Sequence, residues 1–266
     1  MKVQIAGIKD VSLIDVCGEP SLTIWFCGCN LKCPYCHNWR VAEVFESTCY
    51  SAELSEIYFA IESASSIVDY IHVTGGEPTE QVVQLQQIFE FAKSVGLRTS
   101  INTNCSNPST IESLLGKELV DHLATDVKAP PDLMTGLPRD EALRYWRSFI
   151  KTLRLVREYD VILELRIPVL KYGAVGSELV ASLKNYLMEA LSTIEGVSKV
   201  DLVLNPILGP PVVDSVRNPE WCSKYAVPGK RDIELAEALV RRNCLGFEDT
   251  ATYVSKVLAY FRTRKL

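Results

Sequence analysis

The sequence predicts an α/β fold, a partial (β/α)6 TIM-like barrel with a C-terminal helical extension. Short runs rich in β-branched residues alternate with amphipathic stretches, as in repeated strand–helix units around a parallel sheet. Six such runs with five crossovers indicate an incomplete barrel and not a closed barrel of eight strands. An open doubly wound sheet fits the same alternation.

The six predicted strands are short apolar runs separated by turn residues. They are residues 21–26, 70–75, 97–103, 120–127, 161–170 and 200–207. Helical periodicity predicts the crossovers between them, over residues 51–65, 80–96, 110–115, 139–159 and 176–191. Ser51 and Ser177 are expected N-caps, and Gly96 is an expected C-terminal stop.

The last part of the chain has a different composition. Residues 205–230 are rich in proline and glycine, which predicts a long irregular segment before one or two final helices. We therefore expect residues 1–206 to form the barrel and residues 207–266 to pack on the same domain as an irregular segment with C-terminal helices.

Composition is that of a soluble globular protein, with 47% apolar and 23% charged residues. The N-terminal stretch has neither the apolar core of a signal peptide nor a membrane span, so a cytoplasmic location is expected. The net charge of −5 argues weakly against a general nucleic-acid binder. Nine cysteines in a reducing compartment are better explained as metal ligands or redox thiols than as a disulfide framework.

The cysteine loop, residues 27–38, follows the first predicted strand. Cys29, Cys33 and Cys36 have the spacing C-x3-C-x2-C, and three thiolates can each bind one iron of a cubane cluster while the fourth iron stays open to a substrate. Zinc is the rival metal, with His37 as a further ligand, although structural zinc sites usually have two separated ligand pairs. Buried thiols without a metal are a third interpretation, and Cys27 has no assigned role.

Polar residues lie at the carboxyl ends of the later strands, where barrel enzymes place their sites. The motif GGEP, residues 75–78, lets the backbone approach a ligand and offers oxygens to an ammonium group. The other polar strand ends are Thr103, Asn104, Asp126, Lys128 and Arg166. Asp126 and Lys128 could instead form an ordinary surface ion pair, and Arg166 could be solvated.

These motifs resemble the radical S-adenosylmethionine (SAM) superfamily, in which an aromatic residue, here Tyr35, precedes the last cysteine. Within it the chain is similar to the glycyl-radical-enzyme activases, namely pyruvate formate-lyase activating enzyme and anaerobic ribonucleoside-triphosphate reductase activating protein. The shared motifs are SLID, CPYCHN, TGGEPT, NTN and DVKAP, in that order. The resemblance implies reductive cleavage of SAM at a [4Fe–4S] cluster and abstraction of hydrogen from a glycine of a partner enzyme.

The resemblance also implies the site residues. Cys29, Cys33 and Cys36 would hold the cluster, and no protein side chain would act as acid or base in the main step. The implied SAM-binding residues are Tyr35, Gly75, Gly76, Glu77, Pro78, Thr103, Asn104, Asp126, Lys128 and Arg166. The implied partners are a glycyl-radical enzyme and a flavodoxin or ferredoxin as electron donor, without a membrane and without nucleic acid.

Three positions depart from the activase pattern. Cys17 replaces a proline, Asn102 replaces an aspartate that helps to hold a monovalent cation in some activases, and Asn205 stands on the last strand where a histidine is expected. A radical SAM enzyme that acts on a nucleobase, tRNA or a small metabolite is therefore an alternative, and the basic helical stripe Arg144, Arg147, Lys151 and Arg154 could serve it. An electron carrier or a zinc-stabilised interaction module is a third alternative.

Overall fold

The computed structural model describes residues 1–172, 177–213 and 215–243, which divide by their internal contacts into two units. The first unit comprises Met1–Asn30, Asn38–Ala124 and Tyr159–Val161. The second unit comprises Leu31–His37, Thr125–Glu158 and the described residues from Ile162 onward. In these ranges no helix is long and apolar enough to cross a membrane.

The first unit is built on strands in the order β3–β1–β2–β4–β5–β6. Strand β1 pairs antiparallel with β2 and β3, whereas β2, β4, β5 and the start of β6 run parallel. The bounds are β1 Lys2–Val16, β2 Glu19–Phe26, β3 Tyr50–Glu53, β4 Tyr70–Gly75, β5 Arg98–Asn102 and β6 His122–Asp126. The carboxyl ends of the parallel strands therefore carry the loops that follow β2, β4 and β5.

Helices cover the sheet of the first unit with their apolar faces. Ile57 and Ile61 of one helix and Leu85 and Ile88 of the next are fully buried. The helices are α1 Trp39–Ala42, α2 Leu54–Ala64, α3 Val82–Ser94 and α4 Pro108–Gly116, and a 3₁₀ turn spans Pro78–Gln81. Gly96 follows α3 with φ of 82°, as the predicted helix stop requires.

The second unit continues from the end of β6, in the strand order β6–β7–β8. Val127 N donates to Arg166 O at 2.8 Å, and β7 pairs parallel with β8. Its elements are α5 Pro131–Met134, α6 Arg139–Val156, β7 Ile162–Val169, α7 Ser177–Thr193, β8 Val200–Pro206, α8 Pro219–Tyr225 and α9 Lys230–Asn243. Helix α6 buries Tyr145, Trp146 and Phe149, and its opposite face is exposed.

The predicted α/β class is confirmed, and all six predicted strands form. Strands β1 and β3 were not predicted, because antiparallel strands with solvated residues lack the continuous apolar run of a buried parallel strand. The expectation for Ser51 is wrong: it lies in β3, and α2 begins after Glu53, whose side chain and that of Glu56 form a capping box. The boundary at residue 206 stays a prediction, and the side chain of Ser177 and residues 244–266 lie outside the described residues.

Cys27 and Cys49 form a disulfide, which corrects for these two residues the expectation that the cysteines are metal ligands or redox thiols. Cys27 is buried and directly follows β2, and Cys49 directly precedes β3. Both strands flank β1, so the two cysteines approach each other although 22 positions separate them. Cys27, which had no assigned role, therefore has its sulfur bonded to Cys49 in this structure.

Candidate functional site

The predicted site residues fall into two groups, one in each unit. The first-unit group is Cys29, Gly75, Gly76, Glu77, Pro78, Thr103 and Asn104. The second-unit group is Cys33, Tyr35, Cys36, Asp126, Lys128 and Arg166. Within each group, residues that are distant in sequence contact each other.

Glu77 is the centre of the first-unit group and is fully buried. Its Oε1 accepts hydrogen bonds from Thr79 Oγ1 at 2.6 Å, from Thr79 N at 3.1 Å and from Thr103 Oγ1 at 2.7 Å. Its Oε2 accepts from Asn104 N at 2.7 Å. The carboxylate therefore ties the GGEP loop after β4 to the end of β5.

The environment of Glu77 has two opposing effects on its acidity. Burial raises its pKa above the usual glutamate value, and the hydrogen bonds from Thr79, Asn104 and Thr103 oppose that rise because they favour the charged form. Because the four bonds engage both carboxylate oxygens, Glu77 has a positioning role in this structure. Contact between the loop and SAM stays a prediction.

Gly75 and Gly76 are required by close backbone packing in the first unit. A Cβ on Gly76 would lie 2.0 Å from Gly28 O, and Glu77 N donates to that same oxygen at 2.7 Å. Gly75 has φ of 113°, and its Cβ would lie 2.3 Å from Phe26 O. The GGEP backbone thus packs directly against the backbone that leads into Cys29.

We expect Gly76→Ala to lower the free energy of unfolding by about 1–3 kcal/mol, because the added methyl group meets backbone that cannot move aside. Gly7→Ala is the matched control, since a Cβ there would have no atom within 4 Å. Denaturant unfolding monitored by circular dichroism measures both. Equal stability of the two variants would contradict the packing argument.

Asn104 links the first-unit group to the start of the cysteine loop. Its Nδ2 donates to Asn30 Oδ1 at 2.8 Å and lies 4.0 Å from Cys29 Sγ. The next residue, Cys105, has φ of 61°, a left-handed conformation that is uncommon for residues other than glycine. Asn102 donates from Nδ2 to Thr74 Oγ1 at 3.0 Å, so its amide tethers β5 to β4 and brings no negative charge for a cation.

Lys128 and Asp126 form the centre of the second-unit group. Lys128 Nζ lies 2.9 Å from Asp126 Oδ2, and the two side chains are only 10% and 25% exposed. Burial by itself would lower the pKa of Lys128, but Asp126 and the neighbouring Tyr35, Tyr145 and Cys33 raise it well above the usual value. The pair is therefore a shielded ion pair and not the surface pair of the alternative interpretation.

Arg166 is likewise paired and mostly buried. Its Nε donates to Glu164 Oε1, and its side chain is 19% exposed. Burial alone would raise the pKa of Asp126, but Lys128 and Arg166 outweigh it and lower that pKa. The solvated arginine of the alternative interpretation is thus excluded, since Lys128 is paired with Asp126 and Arg166 with Glu164.

We expect Asp126 to contribute stability above the pKa of an unfolded aspartate and to lose that contribution as the pH falls through its lowered folded pKa. The difference in free energy of unfolding between the wild type and Asp126→Asn should therefore shrink from about pH 5 to about pH 3. Chemical denaturation at both pH values measures it. A difference that stays constant or grows on acidification would contradict the shift.

The cysteine loop contributes Cys33 and Tyr35 to the second-unit group. Burial raises the pKa of the Cys33 thiol to about 11, although Lys128 opposes the rise. Burial also raises the pKa of Tyr35, whose hydroxyl oxygen is buried and has no hydrogen-bond partner among the described residues. Two residues that sequence reasoning missed, Tyr145 and Arg217, act electrostatically on this group, and no motif in the sequence marks either one.

The three cysteines of the motif suit the cluster that their spacing predicts. Cys33 is buried, Cys29 and Cys36 are half-buried, and all three lie outside the disulfide. No set of three or more His, Cys, Asp or Glu side chains among the described residues is arranged as a metal site, so their ligand role stays a prediction. Three thiols provide the soft donors that iron in a cubane prefers, and His37, whose Nε2 donates to Leu208 O at 3.0 Å, is engaged elsewhere.

Comparison with curated proteins gives relatives of two kinds. The chain is 33% identical over 168 residues to the "putative glycyl-radical enzyme activating enzyme" of Methanocaldococcus jannaschii, covering 62% of this chain and 68% of that protein. It is 29% identical over 138 residues to the pyruvate formate-lyase-activating enzyme of Staphylococcus epidermidis, and 30% identical over 130 residues to the 7-carboxy-7-deazaguanine synthase of Methanopyrus kandleri. The match to the S. epidermidis enzyme covers 46% of this chain and 53% of that enzyme. The match to the M. kandleri synthase covers 42% of this chain and 51% of that synthase.

Solved structures support the fold. A radical SAM methyltransferase from Sphaerobacter thermophilus matches with a TM-score of 0.54 and 15% identity over 86% of this chain and 65% of that one. TYW1 with a bound lysine–pyruvate adduct matches with a TM-score of 0.51 and 15% identity over 83% of this chain and 73% of that one. The family model described as the radical SAM superfamily matches residues 23–172, more than half of the sequence. The chain therefore belongs to the radical SAM superfamily, whose members use a [4Fe–4S] cluster and SAM.

Proposed function

We propose that this protein is a glycyl-radical-enzyme activase, which removes a hydrogen atom from a backbone glycine of a partner enzyme. The observation that carries the proposal is the 33% identity to the M. jannaschii protein over 68% of its length. The activase-like motifs from the cysteine loop to DVKAP support it. The partner enzyme and a flavodoxin or ferredoxin as electron donor are parts of the proposal.

Cys29, Cys33 and Cys36 are the residues that would hold the cluster, which leaves one iron for the amino and carboxylate groups of SAM. When bound, the cluster supplies the electron that cleaves the sulfonium of SAM. The tasks of the protein are to bind, to orient and to exclude water. In this proposed step, no side chain of the protein acts as an acid or a base.

The two groups of site residues provide different contacts for SAM. In the first unit, the Gly75–Gly76 backbone packs against the backbone that leads into Cys29, and Glu77 fixes the positions of Thr103 and Asn104. In the second unit, the cations Lys128 and Arg166 suit a carboxylate, and Asp126 holds Lys128 in place. Tyr35 contributes an apolar ring beside Cys36. These contacts are proposals, argued from chemistry and from the resemblance.

The test is anaerobic reconstitution with iron and sulfide, followed by reduction and addition of SAM with a candidate glycyl-radical enzyme. We expect a cubane signal in electron paramagnetic resonance, 5′-deoxyadenosine as product and a glycyl radical on the partner. Cys36→Ser is the negative control, and Cys17→Ser, which changes an exposed cysteine outside the motif, is the matched positive control. A chain that forms the cluster and cleaves SAM but yields no glycyl radical with any candidate would reject the activase proposal.

A second candidate is a radical SAM enzyme that acts on a nucleobase or on tRNA. One observation favours it: Arg144, Arg147, Lys151 and Arg154 are all exposed on one face of α6. Salt-dependent binding of tRNA that is lost in Arg147→Glu/Lys151→Glu would support this candidate. Binding of a glycyl-radical enzyme without any binding of RNA would favour the activase.

A further inference from the structure

The segment formed by residues 207–213 and 215–225, here called the clasp, lies beyond the part of the chain that matches the family model. It contains the loop after β8 and helix α8. The clasp and residues 31–37 of the cysteine loop belong to the same unit. Although some 180 positions separate them in sequence, they contact each other repeatedly.

Three hydrogen bonds join the clasp to the cysteine loop. Arg217 Nη1 donates to Leu31 O at 3.3 Å, and Asn218 N donates to Pro34 O at 2.9 Å. In the opposite direction, the ring Nε2 of His37 donates to Leu208 O at 3.0 Å. The bonded carbonyls of Leu31 and Pro34 lie on either side of Cys33 in the chain.

Packing adds to these bonds. The rings of Trp221 and Tyr35 lie 5.5 Å apart between centroids, at 34°. Asn218 caps α8, because its Oδ1 accepts from Trp221 N at 2.9 Å. Within the clasp, Cys222 approaches Gly209 so closely that a Cβ on Gly209 would lie 3.0 Å from Cys222 Cβ. The clasp is therefore a packed element that constrains the conformation of the loop.

Arg217 is the one member of this contact set with a permanent charge. Its guanidinium bonds to the carbonyl of a residue two positions before Cys33. The reduced state of a thiolate-ligated cluster is more negative than the oxidised state, so a nearby cation stabilises reduction. A radical SAM enzyme needs a cluster that its electron donor is able to reduce.

We propose that Arg217 is a positioning residue for the cluster, which holds the cysteine loop through Leu31 and raises the reduction potential of the cluster by its charge. The proposal rests on the cysteine loop holding the cluster, as proposed above. It also assigns a function to the segment after β8, namely support of the loop from outside the barrel strands.

The experiment is a redox titration of the reconstituted holoprotein, monitored by electron paramagnetic resonance, for the wild type, Arg217→Gln, Arg217→Lys and Lys224→Gln. Lys224 is the matched control, because it is an exposed cation of the same segment that bonds to no residue of the loop. At the midpoint potential of the wild type, we expect about a tenfold lower ratio of reduced to oxidised cluster in Arg217→Gln, which is a shift of about 59 mV to more negative potential. Arg217→Lys and Lys224→Gln should keep the ratio within about threefold of the wild type.

Iron content separates the possible failures. A wild type without a cluster would reject the proposed cluster site itself, whereas a wild-type potential in iron-loaded Arg217→Gln would reject the role of Arg217 alone. If Arg217→Gln retains no iron, Arg217→Lys decides. Retention of iron with a near wild-type potential supports the charge argument, and a potential that is lower than that of the wild type by about 59 mV or more overturns it. A shift of equal size in Lys224→Gln would also overturn the proposal, since it would reflect net charge and not position.

Discussion

Glu77→Gln should lower the free energy of unfolding by about 1–3 kcal/mol and weaken SAM binding at least tenfold. The glutamine side chain keeps one acceptor oxygen, but its amide nitrogen must face either the hydroxyls and backbone N–H that surround Oε1 or the N–H of Asn104. In both orientations a buried donor meets a donor. Burial disfavours the charged carboxylate and raises the pKa of Glu77. The neutral amide of glutamine avoids this cost of burying a charge, which limits the loss of stability.

The control for that variant is Glu80→Gln, in the 3₁₀ turn that Glu77 caps. Glu80 is exposed and accepts from Asn107 Nδ2 at 3.1 Å, so its replacement should change stability by less than about 0.5 kcal/mol. Denaturant unfolding gives the stability, and equilibrium binding of SAM to the reconstituted protein gives the second readout. Glu77→Gln with both properties unchanged would show that the carboxylate does not hold Thr103 and Asn104 in place.

Lys128→Met should lower the free energy of unfolding by about 3 kcal/mol, the lower end of the range for breaking a buried ion pair. The expected loss of stability lies at the lower end of that range because Asp126 is 25% exposed and Arg166 remains near its carboxylate. The loss arises mainly from leaving the Asp126 carboxylate without its closest cation. The double variant Lys128→Met/Asp126→Asn should therefore regain part of the stability that the single variant loses.

Lys93→Met is the comparison for that prediction. Lys93 Nζ lies 2.6 Å from Asp121 Oδ1, but these two side chains are 30% and 31% exposed, so the loss should be about 1 kcal/mol or less. Unfolding in guanidinium chloride measures all the variants. A Lys128→Met protein that is no less stable than Lys93→Met would mean that shielding of the second-unit pair contributes nothing.

The sequence was sufficient for the parallel strands because each is a short, almost wholly apolar run. It was insufficient for β1, where burial alternates only over residues 2–5 and most later residues are exposed or half-buried, and for the start of α2, where Glu53 and not Ser51 precedes the helix. Motif spacing placed Asp126 and Lys128 at one strand end, and the structure pairs them there. Whether the pair is shielded depends on elements such as α6, whose packing no local pattern encodes.

Long-range contacts account for most of what could not be predicted about the candidate site. The position of Glu77 followed from GGEP, but the engagement of its carboxylate by Thr103 and Asn104 requires β4 and β5 to be neighbours. Arg217 contacts Leu31 across 186 positions, and no motif surrounds it. The Cys27–Cys49 bond was missed because the expected reducing compartment argued against disulfides.

That bond has a consequence for handling the protein. Thiol reductants, which accompany iron loading, attack disulfides by exchange, and the half-buried Cys49 is the more accessible of the two sulfurs. The polypeptide therefore has two covalent forms that differ by a pair of hydrogen atoms, one with a tether just upstream of Cys29 and one without it. Iron uptake measured in the presence of dithiothreitol reports on the untethered form, so intact-mass measurement should accompany every loading experiment.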